Sequence, residues 1–139
     1  MELLPAPDAA LILGVGCRRG CDDAQLAALL DRVLLAHGLQ GLPVVAVATI
    51  ASKADEPALQ GLARRLGCPL LVFSPAQLLR HTEQLSQRSE RVFQATGCYG
   101  VAEGAALAMA GQMGVERPRL RVTRQASDAA TLAVVMAPT

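Results

Sequence analysis

Residues Ala9–Leu34, AALILGVGCRRGCDDAQLAALLDRVL, carry the reading that decides the fold. Ala9 to Val15 is a continuous apolar run, shorter than a usual helix and ending in Gly14-Val15-Gly16, which favours a buried strand. Cys17-Arg18-Arg19-Gly20-Cys21 then turns the chain, and Asp22 or Asp23 can cap a helix by accepting a backbone N–H. Leu26, Leu29, Leu30, Val33 and Leu34 follow at helical spacing, so one stripe of that helix is apolar. A strand without polar alternation, a glycine turn and an amphipathic helix make the repeating unit of a parallel sheet covered on both faces.

The unit recurs along the chain. Gly38 and Gly41-Leu42-Pro43 end the first helix, and Val44 to Ile50 is a second buried strand. Asp55-Glu56-Pro57 opens a helix whose stripe is Leu59, Leu62, Ala63 and Leu66, closed by Gly67. Leu70 to Phe73 is a third strand, and Ser74-Pro75 starts a short helix through Leu79. Gln84 to Arg88 is a polar link, Ser89 can cap Glu90 to Ala95, and Gly97-Cys98-Tyr99-Gly100 is a turn before an Ala-rich helix, Val101 to Gly111. The tail differs. Arg119 to Arg124 alternates polar and apolar, as a half-exposed strand does, and Thr131 to Met136 is apolar. The expectation is one α/β domain over residues 1–139: a mainly parallel sheet with helices on both faces and a C-terminal hairpin at one end, with residues 1–8 a flexible lead-in.

Composition narrows the function. The chain has 139 residues, 52% of them hydrophobic and 18% charged, too apolar for intrinsic disorder and long enough for a sizeable core. Thirteen basic residues face twelve acidic ones, a net charge of +1 with no basic block, so no nucleic-acid partner is expected. One Tyr, two Phe and no Trp leave almost no base-stacking platform. No run of about 18 uncharged apolar residues suggests a membrane span, and the N-terminus lacks the basic start of a signal peptide. The four cysteines contain no CxxC pair and read as reduced cytoplasmic thiols. Cys17 and Cys21 could chelate a cation, but their spacing is loose and no His is near in sequence, so neither metal nor cofactor is expected.

Three segments could hold chemistry. Gly14 to Gly20 joins a strand to a helix, the edge at which open α/β sheets bind ligands. Its glycines permit close backbone approach, the helix start offers unpaired N–H groups, and Arg18 and Arg19 are planar forks suited to carboxylate or phosphate. The third glycine falls one residue late for a dinucleotide fingerprint, and the Lys-Ser/Thr pair of a P-loop is missing. Anion binding and a plain tight turn both remain open. Thr49 to Glu56 makes the same kind of junction and contains Ser52, the chain's one lysine, Lys53, and two acids. Lys53 could hold an anion with Glu56 orienting it or acting as a base; alternatively Asp55 is an N-cap and Glu56 a first-turn dipole partner. In the third segment, Gly97 to Leu107, Glu103 is the helix's one charge, either a dipole partner or a buried acid. His37 and His81 stand alone, so a Ser-His-Asp or Cys-His hydrolase has little support.

GVGCRRG, TIASKADE and GCYGVAEGAAL, in that order and followed by a basic strand and an AT-x-A-x-V strand, resemble the cobalamin-biosynthesis family of CobE and the C-terminal domain of CbiG. The similarity covers nearly the whole chain, and its length fits the stand-alone CobE branch. It implies a precorrin or hydrogenobyrinic-acid-like tetrapyrrole as ligand, with Gly16, Cys17, Arg18, Arg19, Gly20, Ser52, Lys53, Gly97 and Gly100 around it. Lys53, Glu56 and Glu103 are the candidates for any catalysis. Such a protein would carry a carboxylate-rich intermediate or take part in ring contraction. CbiG-type members open a δ-lactone of cobalt-precorrin-5A and release acetaldehyde, which makes lactone hydrolysis the alternative activity. Another alternative is a non-catalytic assembly module contacting a further pathway enzyme through Arg117, Arg119 and Arg121.

Overall fold

The computed structural model describes residues 9–138; the expected lead-in, residues 1–8, lies outside them. Five strands form one sheet: β1 (Ala9–Cys17), β2 (Val44–Ile50), β3 (Leu70–Phe73), β4 (Leu120–Ala126) and β5 (Ala130–Pro138), in the order β3-β2-β1-β5-β4. β1, β2 and β3 are parallel, and β5 joins β1 and β4 antiparallel. The sheet is thus α/β with a C-terminal hairpin at one end, its parallel half set beside an antiparallel one. β1 continues past the glycines to Cys17 because β5 pairs with all nine of its residues, from Ala9–Pro138 to Cys17–Ala130.

Helices α1 (Asp23–Ala36) and α2 (Pro57–Leu66) cover one face. Leu11, Leu13 and Val15 of β1 meet Leu26, Leu29, Leu59 and Leu62 there, all buried. Burying each of these leucines is worth roughly 1.5–3 kcal/mol over leaving it exposed. The Asp22 side chain caps α1 by accepting the Ala24 N–H at 2.9 Å, and Gly67, at φ 69°, closes α2. On the other face lie α3 (Pro75–Leu79), whose Ser74 and Gln77 form a capping box, and α5 (Val101–Gln112). Between them α4 (Glu90–Thr96) starts on a Ser89 cap.

α5 is buried from Ala102 to Ala110, and its small side chains let it lie directly on the sheet. Gly14 of β1 is the point of closest approach. A methyl group there would run into the Ala102 carbonyl oxygen and lie 2.7 Å from the Ala106 nitrogen. Glycine therefore serves at position 14 as room for a helix, and the strand runs on through it.

Arg117, Arg119 and Arg121 do not form a row on one strand face. β4 begins at Leu120, Arg117 sits before it at φ 50°, and the Arg121 guanidinium donates to the His37 carbonyl oxygen at 3.1 Å. The alternation read from sequence also breaks within β4. Its register against β5 slips between Leu120 and Val122 and again between Val122 and Gln125, which leaves Thr123 and Arg124 both exposed.

Gly14→Ala should destabilise the fold by about 1–3 kcal/mol or more, because the opposing atoms are backbone and cannot rotate away. Urea denaturation followed by circular dichroism measures this. A midpoint equal to that of the parent chain would show that α5 does not rest on β1 so closely.

Candidate functional site

The carboxyl ends of β1 and β2 open into a cleft of about 880 Å³. The end of β1 contributes Gly16 and Cys17, the loop after it Arg18 and Arg19, and the turn after β2 Ser52, Lys53 and Glu56. Arg91 and Thr96 of α4, Tyr99, Gly100 and the first residues of α5 also line it, as do the β4–β5 turn and Arg124. Each wall is tied down. The Arg18 N–H donates to the Ala129 carbonyl at 2.9 Å, joining the first loop to the hairpin turn. The Ser89 N–H donates to the Tyr99 carbonyl at 3.1 Å, and the Phe93 and Tyr99 rings stack at 4.6 Å, joining α4 to the start of α5.

Five cationic side chains line this space: Arg18, Arg19, Lys53, Arg91 and Arg124. The arginines are exposed and Lys53 is half-buried. The start of α5 also faces the cleft without a side-chain cap, at Gly100. Its unpaired N–H groups and positive dipole end favour anions.

Three carboxylates share the cleft: Asp128, Glu56 and Glu103. The latter two are buried and hold the walls together. Glu103 Oε1 accepts the Ser86 N–H at 2.8 Å, and Oε2 accepts the Ser86 hydroxyl at 2.6 Å and the Arg124 N–H at 2.8 Å. One first-turn residue of α5 thereby fastens both the polar link before α4 and the slipped part of β4. Glu56 Oε1 accepts the Gly20 N–H at 2.7 Å, so the second junction grips the first. Glu56 itself occupies the N-cap position of α2, and Asp55, expected to cap that helix, lies exposed in the preceding turn.

Of the residues expected to surround a ligand, Gly16, Cys17, Arg18, Arg19, Ser52, Lys53 and Gly100 line the cleft, with Glu56 and Glu103 beside them. Gly20 and Gly97 do not. Gly20 stands behind the wall at φ 72°, where it turns the loop and donates to Glu56. Gly97 ends α4 at φ 86°, with Pro75 packed beneath it. Arg91 and Arg124 were missed in the sequence, because α4 reads as an ordinary surface helix and the slip in β4 leaves no mark.

The Cys17 sulfur lies close to that of Cys21 and to the Glu56 carboxylate, the three ligand atoms all within 4.8 Å of one another. Burial, the hydrogen bond with Cys21 and the negative charges of Cys21 and Glu56 push the Cys17 thiol up to about 12, against a smaller opposing pull from Lys53. Cys17 is accordingly a neutral thiol near pH 7.

The chain matches the family described as Cobalamin synthesis G C-terminus over residues 11–135. It belongs to that family. Protein CobE of Sinorhizobium sp is 38% identical over 107 residues, which are 77% of this chain and 70% of that one. A cobalt-precorrin-5A hydrolase of Priestia megaterium is 30% identical over 128 residues, 92% of this chain but 32% of the hydrolase, so the family domain spans about a third of that enzyme. The crystal structure of CobE, a protein from the cobalamin (vitamin B12) biosynthetic pathway, superposes with a TM-score of 0.86 at 38% identity, covering 98% of this chain and 96% of that one. The chiG protein of Agrobacterium tumefaciens follows at TM-score 0.64 and 27% identity, over 91% of this chain and 97% of that one. Membership makes this a cobalamin-biosynthesis protein. No helix of the described residues is long and apolar enough to cross a membrane.

Two outcomes test the site's construction. Glu103→Gln should lower stability by about 1.5–3 kcal/mol for each charge-assisted bond lost, measurable by chemical denaturation, whereas an unchanged midpoint would deny that the carboxylate fastens the walls. At pH 8 Cys17 should react with iodoacetamide far more slowly in the folded chain than in urea, as peptide mass spectrometry would read. Because its proton is held more tightly when folded, the stabilisation linked to it is present below pH 9.0, the ordinary value, and fades as pH rises towards about 12.

Proposed function

We propose that the cleft binds a carboxylate-rich tetrapyrrole of the precorrin or hydrogenobyrinic-acid type and holds it for transfer or for ring-contraction chemistry. The observation that carries this reading is the placement of five cations on four separate segments around one cavity of about 880 Å³. That volume lies within the roughly 300–1,000 Å³ of small-molecule sites. A macrocycle with acetate and propionate arms on its rim needs cationic partners spaced around it, not a single phosphate-type nest. Guanidinium forks meet carboxylates in bidentate fashion, and the uncapped start of α5 adds N–H donors beside them. The near-zero net charge fits a local positive pocket.

Binding is favoured over hydrolysis by the state of two buried carboxylates and a thiol of the cleft. Glu103 is committed to three donors, Glu56 accepts from Gly20, and Cys17 is protonated near neutral pH, which makes it a poor nucleophile. Lactone hydrolysis is the second reading, supported by the 30% identity with a cobalt-precorrin-5A hydrolase across 92% of this chain.

Titration of the protein with corrinoid precursors, followed by visible absorption, separates the readings. A binding protein shifts the spectrum once, saturating at a stoichiometric ratio; a hydrolase changes it with time and liberates acetaldehyde. Arg18→Ala and Lys53→Ala should each weaken binding by roughly 10- to 150-fold, the equivalent of a lost charge-assisted hydrogen bond of about 1.5–3 kcal/mol. Titrations unchanged in both variants would move the ligand out of this cleft.

A further inference from the structure

The Cys17, Cys21 and Glu56 cluster is not needed to bind a polyanion, and two thiols with a carboxylate are an unsuitable surface for one. Their three ligand atoms lie within 4.8 Å of one another. In a tetrahedral zinc site, with Zn–S near 2.3 Å and Zn–O near 2.0–2.2 Å, the ligand atoms stand roughly 3.5–3.8 Å apart, so side-chain adjustment of about an ångström closes the set. The backbone already holds the residues in place. The Cys21 N–H donates to the Arg18 carbonyl at 3.1 Å, which curls the loop so that both sulfurs face one point. Gly20, at φ 72°, allows that turn, and its N–H fixes Glu56 Oε1 at 2.7 Å. A ligand carboxylate oriented by an outer hydrogen bond is a regular feature of metal centres.

We infer that Cys17, Cys21 and Glu56 form a binding site for a borderline-soft divalent cation of the zinc class, with its fourth coordination position open to the cleft. Thiolate sulfur selects Zn(II) and its neighbours over Mg(II) or Ca(II), and three protein ligands with one open position is the pattern of zinc sites that meet a further ligand. Cys17 and Glu56 both line the cleft, so two of the three ligands border its interior. Binding releases the thiol protons to solvent, because cysteine ligates as thiolate. Two thiolates and a carboxylate around a divalent cation leave one net negative charge, beside which Lys53, Arg18 and Arg19 stand on the same wall.

The test uses the full chain, reduced with a phosphine and without any tetrapyrrole, so its result is independent of the corrinoid reading. Zn(II) is titrated in competition with a chromogenic chelator, and Co(II) is added as a spectroscopic probe. One equivalent of Zn(II) should bind, and Co(II) should give thiolate-to-cobalt charge-transfer absorption with the strong visible bands of tetrahedral coordination. Cys17→Ser and Cys21→Ser should each weaken Zn(II) binding by more than the roughly 10–100-fold typical of losing an outer-shell partner. Glu56→Gln, which can still accept from Gly20, should also weaken it. A cobalt spectrum without thiolate bands, or cysteine variants that keep the parent affinity, overturns the site. Parent affinity in Glu56→Gln overturns the carboxylate as third ligand. The cobalt spectrum of the unaltered chain reads sulfur ligation directly, so a variant that fails to fold does not leave the matter undecided.

Discussion

The contact between α5 and the backbone of β1 at Gly14 is the constraint on which the rest of the molecule depends. A side chain at that position would meet the Ala102 carbonyl and the Ala106 nitrogen. Without one, the helix sits low on the sheet, and its first turn arrives beside the carboxyl end of β1. Gly100, Val101, Ala102 and Glu103 thereby become a wall of the cleft, together with the loop that holds Arg18 and Arg19. The Ala-rich sequence of α5 has the same cause. Bulkier residues on a helix buried from Ala102 to Ala110 would lift it away from the strand and part the walls.

Around this contact, buried carboxylates act as fasteners and exposed cations line the cleft. Glu103 ties α5 to the polar link and to β4, and Glu56 ties the second junction to the first. Each anion is held by neutral donors, so neither consumes an arginine. The cations that line the cleft make no ion pair with these carboxylates, and with five cations to three carboxylates the cleft of a chain of net charge +1 is net positive. The same fastening brings Glu56 against two sulfurs, which gives the cleft wall a second chemical character, soft and anionic, beside its cationic one.

The family relation places this domain in two settings. CobE of Sinorhizobium sp matches this chain over most of both lengths, whereas in the cobalt-precorrin-5A hydrolase the matching part is about a third of the enzyme.

Much of the architecture is legible in the primary structure, because local patterns encode it. β2 and β3 run between the residues that bound their apolar runs, Asp22, Ser74 and Ser89 cap the helices they precede, and Gly67 ends α2. These features depend on short-range sterics and on hydrogen bonds within a few residues. The facing of the first two junctions follows from the parallel order of β1 and β2. Other features join residues far apart in sequence, and no local pattern records them: the extension of β1 to Cys17 by pairing with β5, the slips in β4 that expose Arg124, and the place of Arg91 on the cleft wall. The role of Glu56 belongs there as well. Its neighbours in sequence suggest a helix start, yet its carboxylate is taken by Gly20, which is 36 residues earlier, and comes to lie beside Cys17 and Cys21. Sequence alone determined which elements form and which loops share an edge, since those follow from side-chain periodicity and backbone preference. Only the tertiary structure decided which charges line the cleft and which are buried, because long-range packing sets those distances.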